Sequence, residues 1–493
     1  MTPPSKFGWP FNRMQSAFVY CEGSPSWNPD AYLADTELHS RAEAHLDNDD
    51  LKSAITASFS LRSADVYVYH AIVAVTLPQV QHVVSLGRAH GLHDWYYGEP
   101  SADPPSPPSS GTDKNPPTNE VSGPADSAQA VDTPAPAPVH TSESKPSTSP
   151  SAAQAPPVLP PPPQPDIEAY LSIFNPTNAA QTALKNYTAN AKKGSLRREI
   201  GAHLTSKRYI HASLNLSIPR TKPSKPAPAN PYLSFLSWAS RNLEWAGPGP
   251  ASARGRPSSH HILPILMHHF GCVCPSHEAL EILRTLASGR EIIDMGSGNG
   301  YWTRMLRDYH AFHAQSVPNS NSNSNSKAKA KAKAPAPIPL VTPVDSAQSS
   351  WRTTWVRDTI IADGATYLRE TRSGAKDAVL LLVYPIVGGG VAGGTEGGFT
   401  RSMLDAYEGD TLAVVGTQNH NGYTGFRDLT TDEFMAREHG DEWLKVVQVP
   451  LPSFPGKDEA LYVFQRGSRA PSRTEENVTE TSVPIDRGEG NNT

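Results

Sequence analysis

Three glycines at alternate positions, Gly296, Gly298 and Gly300, lie between a short apolar run and a helical pattern. Ahead of them, Ile292 and Ile293 lead into an acid, Asp294; behind them, Tyr301, Trp302, Met305, Leu306 and Tyr309 recur at helical spacing. The stretch reads as buried strand, turn and helix. Glycine lets such a turn enter positive φ and lets a ligand approach the backbone closely. The helix behind it offers free N–H groups and a partial positive charge. A nucleotide-like ligand suits that chemistry, with Asp294, Gly296, Ser297, Gly298, Asn299 and Gly300 as candidate contacts. The dinucleotide fingerprint has a different spacing, G-x-G-x-x-G. Here the pattern is G-x-G-x-G, and Tyr301 stands where the third glycine would fall.

Further polar positions follow at the ends of predicted strands. Residues 340–345 read as a strand closing on Asp345, 51 residues beyond Asp294. In a nucleotide-binding βαβ unit, an acid at the end of the second strand bonds the ribose hydroxyls. The interval is long, but 319–337 is low complexity, NSNSNS and then KAKAKAKA. We read an insertion at about 314–338 in a surface loop, which a fold tolerates at small cost. Without it the spacing approaches the ordinary one. Residues 377–385 form a continuous apolar run, as central parallel strands do. Tyr384 ends that run, where the switch-point rule places a reacting partner. The polar loop 417–422 falls on the same edge and adds Asn419 and His420 as candidates for handling a proton. Between them, the glycine-rich stretch 388–398 reads as a mobile lid.

The acid two residues before G-x-G-x-G resembles motif I of the class I S-adenosylmethionine-dependent methyltransferases. That resemblance implies that the glycines border the methionine part of the cofactor and that Asp294 helps to place its amino group. The segment D-T-I-I-A-D-G, ending at Asp363 and Gly364, resembles the motif in which an acid after the third strand faces the adenine amino group. Tyr384-Pro385 distantly resembles the D/N-P-P-Y motif of amino methyltransferases, without its leading Asp or Asn and its second Pro. At the level of the whole domain, 258–466 is similar to methyltransferase-domain proteins of fungi. The fold so implied is α/β: a Rossmann-like doubly wound sheet, mostly parallel, ending in an antiparallel hairpin from 443–450 and 459–465. The reaction implied is methyl transfer from S-adenosyl-L-methionine to an acceptor that is a small molecule, a protein or an RNA. The other expectation is a cofactor-binding or scaffold module of the same shape without activity of its own.

The elements that must hold these residues occupy only part of the chain. Of 493 residues 48 are proline and only 37% are hydrophobic, too few to fold throughout. Residues 1–98 read as a small, mostly helical region, with helices at 30–46 (started by Asn28 and Pro29) and 77–91. Residues 99–166, rich in Pro, Ser and Ala, read as a disordered linker of polyproline II character on which protein partners could dock. Residues 167–257 read as a helical extension of the catalytic domain. Its basic residues Lys192, Lys193, Arg197, Arg198, Lys207 and Arg208 read as a solvated face, or alternatively a phosphate-contacting one. The tail 467–493 reads as disordered.

His260, His261, His268, His269, Cys272, Cys274 and His277 invite a metal. Their C-x-C-x-x-H spacing matches no zinc pattern, so no metal is expected. Helices at 261–270 and 276–286, the second capped by Ser276, are the reading instead, roofing the ligand pocket with His260 and His261 along its lining. A formal charge of −5 carries no global nucleic-acid signature. Three cysteines build no disulfide framework and suit a reducing compartment. The first residues lack a signal-peptide core, and no apolar run is long enough to span a bilayer. The expectation is a cytoplasmic or nuclear protein without a membrane partner.

Overall fold

The computed structural model describes residues 19–20, 27–61, 67–69, 75–90, 162–222, 224–248, 262–314, 340–347, 352–386, 395–420, 423–454 and 457–472. Residues 315–338 of the expected insertion, residues 388–394 of the expected lid, the linker through 161, the tail beyond 472, and His260 and His261 lie outside the described residues. Along the chain the strands are β1 (Val19–Tyr20), β2 (Tyr67–Tyr69), β3 (Val75–Thr76), β4 (Tyr209–Ile210), β5 (Ile292–Met295), β6 (Val341–Asp345), β7 (Ile360–Ile361), β8 (Val379–Val383), β9 (Thr411–Thr417), β10 (Leu444–Pro450) and β11 (Glu459–Gln465).

β1 to β3 make a small sheet, and the other eight strands make one large sheet in the order β4-β10-β11-β9-β8-β5-β6-β7. β5 to β9 run parallel, while β11 runs antiparallel to both β9 and β10, and β4 antiparallel to β10. Side chains of a strand alternate between faces, and in the central strands both faces are covered. Val379 and Leu381 enter one apolar core, Leu380 and Leu382 the other. That two-sided burial explains why these strands are apolar at every position. β7 is different: Ile360 and Ile361 are 38% and 57% exposed, and the strand is two residues long. A short edge strand offers little backbone to a stray partner.

The flanking helices begin where their caps dictate. Ser276 Oγ accepts the Ala279 N–H at 3.1 Å and starts His277–Ala287. Thr430 and Glu433 form a reciprocal capping box at the head of Thr431–His439. The single helix expected at 30–46 is two, Pro29–Ala34 and Thr36–Asp47. Asp35 breaks it: its carboxylate takes the Leu38 N–H at 2.7 Å and caps the second helix, with its own backbone outside helical geometry. The basic stretch is partly spent inside the fold. Arg197 pairs with Asp166 at 3.0 Å, and Arg208 pairs with the buried Glu278 at 2.6 Å.

Residues 27–61 pack on the same core as the sheet. The Trp27 and Trp355 rings meet edge to face at 5.1 Å, and Phe59 stacks on His269 at 3.9 Å and 12°. Phe59 is fully buried. Phe59→Ala is therefore expected to lower the stability of the whole unit by about 3–5 kcal/mol, the range for an emptied aromatic site. Urea unfolding followed by tryptophan fluorescence checks this; a loss below about 1 kcal/mol would show that the N-terminal helices are not part of the cooperative core. Among the described residues no helix is long and apolar enough to cross a membrane.

Candidate active site

The parallel strands end on one rim, and the register fixes which residues meet there. β5 pairs Asp294 with Pro343 and Met295 with Val344 on one side, and the same residues with Leu381 and Leu382 on the other. The turn after β5 therefore lies between Asp345 and the end of β8. Gly296, Gly298 and Gly300 all have positive φ (75°, 58° and 78°), which explains their spacing. They do not do the same job. A Cβ on Gly296 or Gly298 would meet only the tip of Phe399 at 3.4 Å or of Arg352 at 3.5 Å. A Cβ on Gly300 would lie 2.2 Å from Val356 Cγ2. The first two glycines face space bounded by side chains that can give way, whereas Gly300 is a packing glycine.

Hydrogen bonds hold this turn against the second strand. The N–H of Gly298 donates to Asp345 Oδ2 at 2.8 Å, and those of Gly296 and Ser297 donate to the Val344 carbonyl at 2.8 and 3.1 Å. Asn299, expected among the ligand contacts, is buried and turned inward. It donates to the His269 carbonyl at 3.3 Å and accepts the Tyr301 N–H at 3.3 Å, so it ties the turn to the helix Leu263–His269. The segment after Arg352 is laid over the turn by the Trp355 N–H, which reaches the Asn299 carbonyl at 2.8 Å.

Two polar atoms of the stretch have no hydrogen-bond partner among the described residues, Asp294 Oδ1 and Ser297 Oγ. Asp294 is fully buried, and its other oxygen accepts the Thr303 hydroxyl at 2.6 Å. Burial pushes its carboxyl up to about 6; the Thr303 hydrogen bonds pull the other way, and the nearby Asp345 charge adds to the rise. A buried acceptor left open costs free energy unless something fills it. A ligand presenting a donor, such as an ammonium group, matches the Asp294 oxygen in chemistry and charge. Asp345 is half-buried beside it, its Oδ1 accepting the Ala347 N–H at 3.1 Å.

The third acid sits apart from this group. Asp363 is exposed and caps the single turn Gly364–Thr366, with Oδ1 accepting the Thr366 N–H at 2.9 Å. That hydrogen bond holds its carboxyl below the usual range. Gly364 is buried, and a Cβ there would lie 2.7 Å from Met295 Sδ, so it is glycine for close packing at the end of β5.

Tyr384 directly follows β8, and its backbone is in the left-handed region, φ 58°. A non-glycine residue held there costs about 1–3 kcal/mol and is characteristic of functional sites. Its N–H bonds the Val415 carbonyl at 2.7 Å, and its hydroxyl accepts from Lys457 Nζ. Lys457 lies in the turn from β10 to β11 and Glu459 opens β11; both are 1% exposed. Lys457 Nζ lies 3.0 Å from the centre of the Tyr423 ring and 4.8 Å from that of Tyr384. Burial pulls the lysine down to about 8 against the Glu459 charge, and pushes Glu459 up to about 8 against the Lys457 charge. Neither Glu459 carboxylate oxygen has a hydrogen-bond partner among the described residues. Burial likewise raises the Tyr384 phenol well above its ordinary value, so it is neutral at physiological pH. It can donate or accept a hydrogen bond there but cannot act as a phenolate.

The hairpin is delivered to the rim by a buried polar chain. His203 and Gln418 both bond Asp458, at 2.6 and 2.9 Å, and Gln448 reaches Gln418 at 2.9 Å. Asn419 is buried next to Gln418, whereas His420 is exposed, with Nδ1 3.1 Å from the Asp428 carbonyl. Of the proton-handling candidates, Tyr384 and Asn419 lie within the rim and His420 on its outside. Arg352, Phe399, Tyr423, Lys457 and Glu459 were not read from the sequence. Charged residues on a hairpin turn are ordinarily solvated, and no local pattern distinguishes a turn folded inward. The histidines and cysteines are dispersed into packing: His269 stacks on Phe59, Cys274 is buried near Asn230, and His277 Nε2 lies 2.9 Å from the Pro219 carbonyl. Among the described residues no three His, Cys, Asp or Glu side chains gather as a metal site. No protein-family model matches this chain, and no curated protein matches it.

Proposed function

We propose that this chain is an S-adenosylmethionine-dependent methyltransferase. The observation that carries the reading is the pairing of an open glycine turn with a buried, unpartnered Asp294 oxygen, beside Asp345 on the same rim. Three further features support it. Taken by chain order, the parallel strands lie 3-2-1-4-5, the order of the doubly wound nucleotide-binding sheet, whose ligands bind at the reversal point outside the strands' carboxyl ends. That point falls between β5 and β8, where the glycine turn and Tyr384 stand. The antiparallel β11 then takes the place beside β9, in keeping with the terminal hairpin implied by the resemblance at motif I.

In this reading Asp294 and Ser297 meet the amino-acid end of the cofactor, Asp345 turns from the Gly298 N–H to the ribose hydroxyls, and Asp363 with Gly364 borders the base. Arg352 beside Gly298 is placed to meet the carboxylate. When bound, the cofactor supplies an electrophilic methyl group on a sulfonium. The chain's own part is to hold an acceptor in line and to take its proton if it carries one. Free Cys272 and Cys274 agree with a reducing compartment, cytosol or nucleus.

Titration calorimetry of the full chain with S-adenosylmethionine is expected to give saturable one-to-one binding, and absence of heat would sink the reading. A transfer assay with methyl-labelled cofactor and cell extract, fractionated into protein, RNA and small molecules, then separates an enzyme from a binding module. Label in one fraction marks an enzyme; binding without any transfer marks the module.

A further inference from the structure

At the end of β8 and the start of β11, two tyrosine rings face each other with an ammonium between them. The Tyr384 and Tyr423 rings are 5.9 Å apart and tilted by 32°, and Lys457 Nζ lies against both, 4.8 and 3.0 Å from their centres. All the members are buried: Tyr384 is 5% exposed, Tyr423 8%, Lys457 1% and Glu459 1%. Glu459 lies near enough for its charge to favour the Lys457 ammonium. Aromatic faces with a nearby carboxylate are the chemistry that recognises an alkylammonium.

We propose that Tyr384, Tyr423 and Glu459 form a seat for a primary alkylammonium ligand, and that Lys457 fills this seat in the free chain. The inference deepens the methyltransferase reading and rests on it in one respect: with that reading, the seat's ligand is the methyl acceptor, an amine. The seat itself stands on the cluster alone. Its parts divide the work. The rings hold the cation, the Tyr384 hydroxyl accepts one N–H, and Glu459, out of ion-pair contact with the Lys457 ammonium, adds negative charge once it ionises. Burial raises that carboxyl to about 8, so its contribution grows above neutral pH. The left-handed backbone of Tyr384 falls at this seat. The missing leading residue of D/N-P-P-Y does not argue against an amine, because here other side chains meet it.

The test opens the seat in the full chain with Lys457→Ala and titrates it with n-butylamine at pH 9, where the alkylammonium and Glu459 are both charged, without cofactor, using n-butanol as the neutral counterpart. The expected result is that the variant binds n-butylammonium at least tenfold more tightly than the native chain does, and at least tenfold more tightly than it binds n-butanol. Adding Glu459→Gln to the variant removes that preference. Equal binding of amine and alcohol, or equal binding by native and opened chains, overturns the proposal. If Lys457→Ala does not fold, Glu459→Gln alone gives the answer. The Lys457 ammonium, followed by nitrogen-detected NMR, is expected to titrate at least one pH unit lower than in the native chain, and an unchanged titration overturns the seat. Calorimetry with S-adenosylmethionine on the native chain separately decides the methyltransferase reading, so the two failures are distinguishable.

Discussion

A Gly298→Arg chain is expected to fold and to bind S-adenosylmethionine at least 100-fold more weakly than the native chain. Gly298 has φ 58°, which an L-residue adopts at a cost of roughly 1–2 kcal/mol, so the fold survives with a modest loss. A Cβ at this position meets nothing but the end of Arg352 at 3.5 Å. The long side chain would therefore run into the space over the turn, which the proposed ligand needs. It also brings a second guanidinium beside Arg352 and faces a ligand carrying a sulfonium and an ammonium. A hundredfold loss corresponds to about 2.7 kcal/mol, and steric filling with like-charge repulsion supplies at least that. Calorimetry measures it, with circular dichroism confirming the fold and the exposed Lys185→Ala as the unaffected reference. Unchanged affinity in Gly298→Arg would place the ligand elsewhere and remove the glycine turn from the site.

The second large effect has opposite signs for stability and binding. Asp294→Asn is expected to stabilise the free protein by about 1–3 kcal/mol at pH 7.5 while weakening cofactor binding at least tenfold. The folded carboxyl titrates near 6, above its unfolded value of 3.8. Between those values the folded chain holds a proton that the unfolded chain has lost, so native stability falls as pH rises through this window. Above pH 6 the loss is complete, and below about 4 it vanishes. The neutral asparagine lacks the term, so its advantage over the native chain should be greatest above pH 6 and disappear near pH 4. Urea unfolding at pH 7.5, 5 and 4 measures the trend. An asparagine variant less stable at every pH would refute the account of Asp294 as a buried charge awaiting a partner. A gain paired with lost binding is the trade-off expected where a site is kept strained for its ligand.

How far the sequence carried depended on whether the information was local. The run Ile292–Met295 with its glycines specifies strand and turn within a dozen residues, and both are present. Asp345 was legible because it ends an apolar run, once the low-complexity stretch before it was set aside. Local reading gave the positions of the glycines but not their separate roles: Gly300 meets Val356 and Gly364 meets Met295, contacts made only by tertiary packing. His420 sat at the right strand end but turns outward to Asp428. The seat residues Lys457 and Glu459 arrive from more than 70 positions beyond Tyr384, brought by an antiparallel pairing whose register no pattern in the glycine stretch encodes. β4 was missed for a related reason, since two residues, Tyr209 and Ile210, carry no alternation to recognise.

The aromatic contact of Trp27 and Phe59 with Trp355 and His269 joins residues 27–61 to the core under the sheet. The chain between them also carries the helices Gln164–Leu171 to Pro231–Asn242, which enter the same core, and Phe59 meets Phe235 there at 6.5 Å. The N-terminal helices are thus held by several segments that lie far apart along the chain.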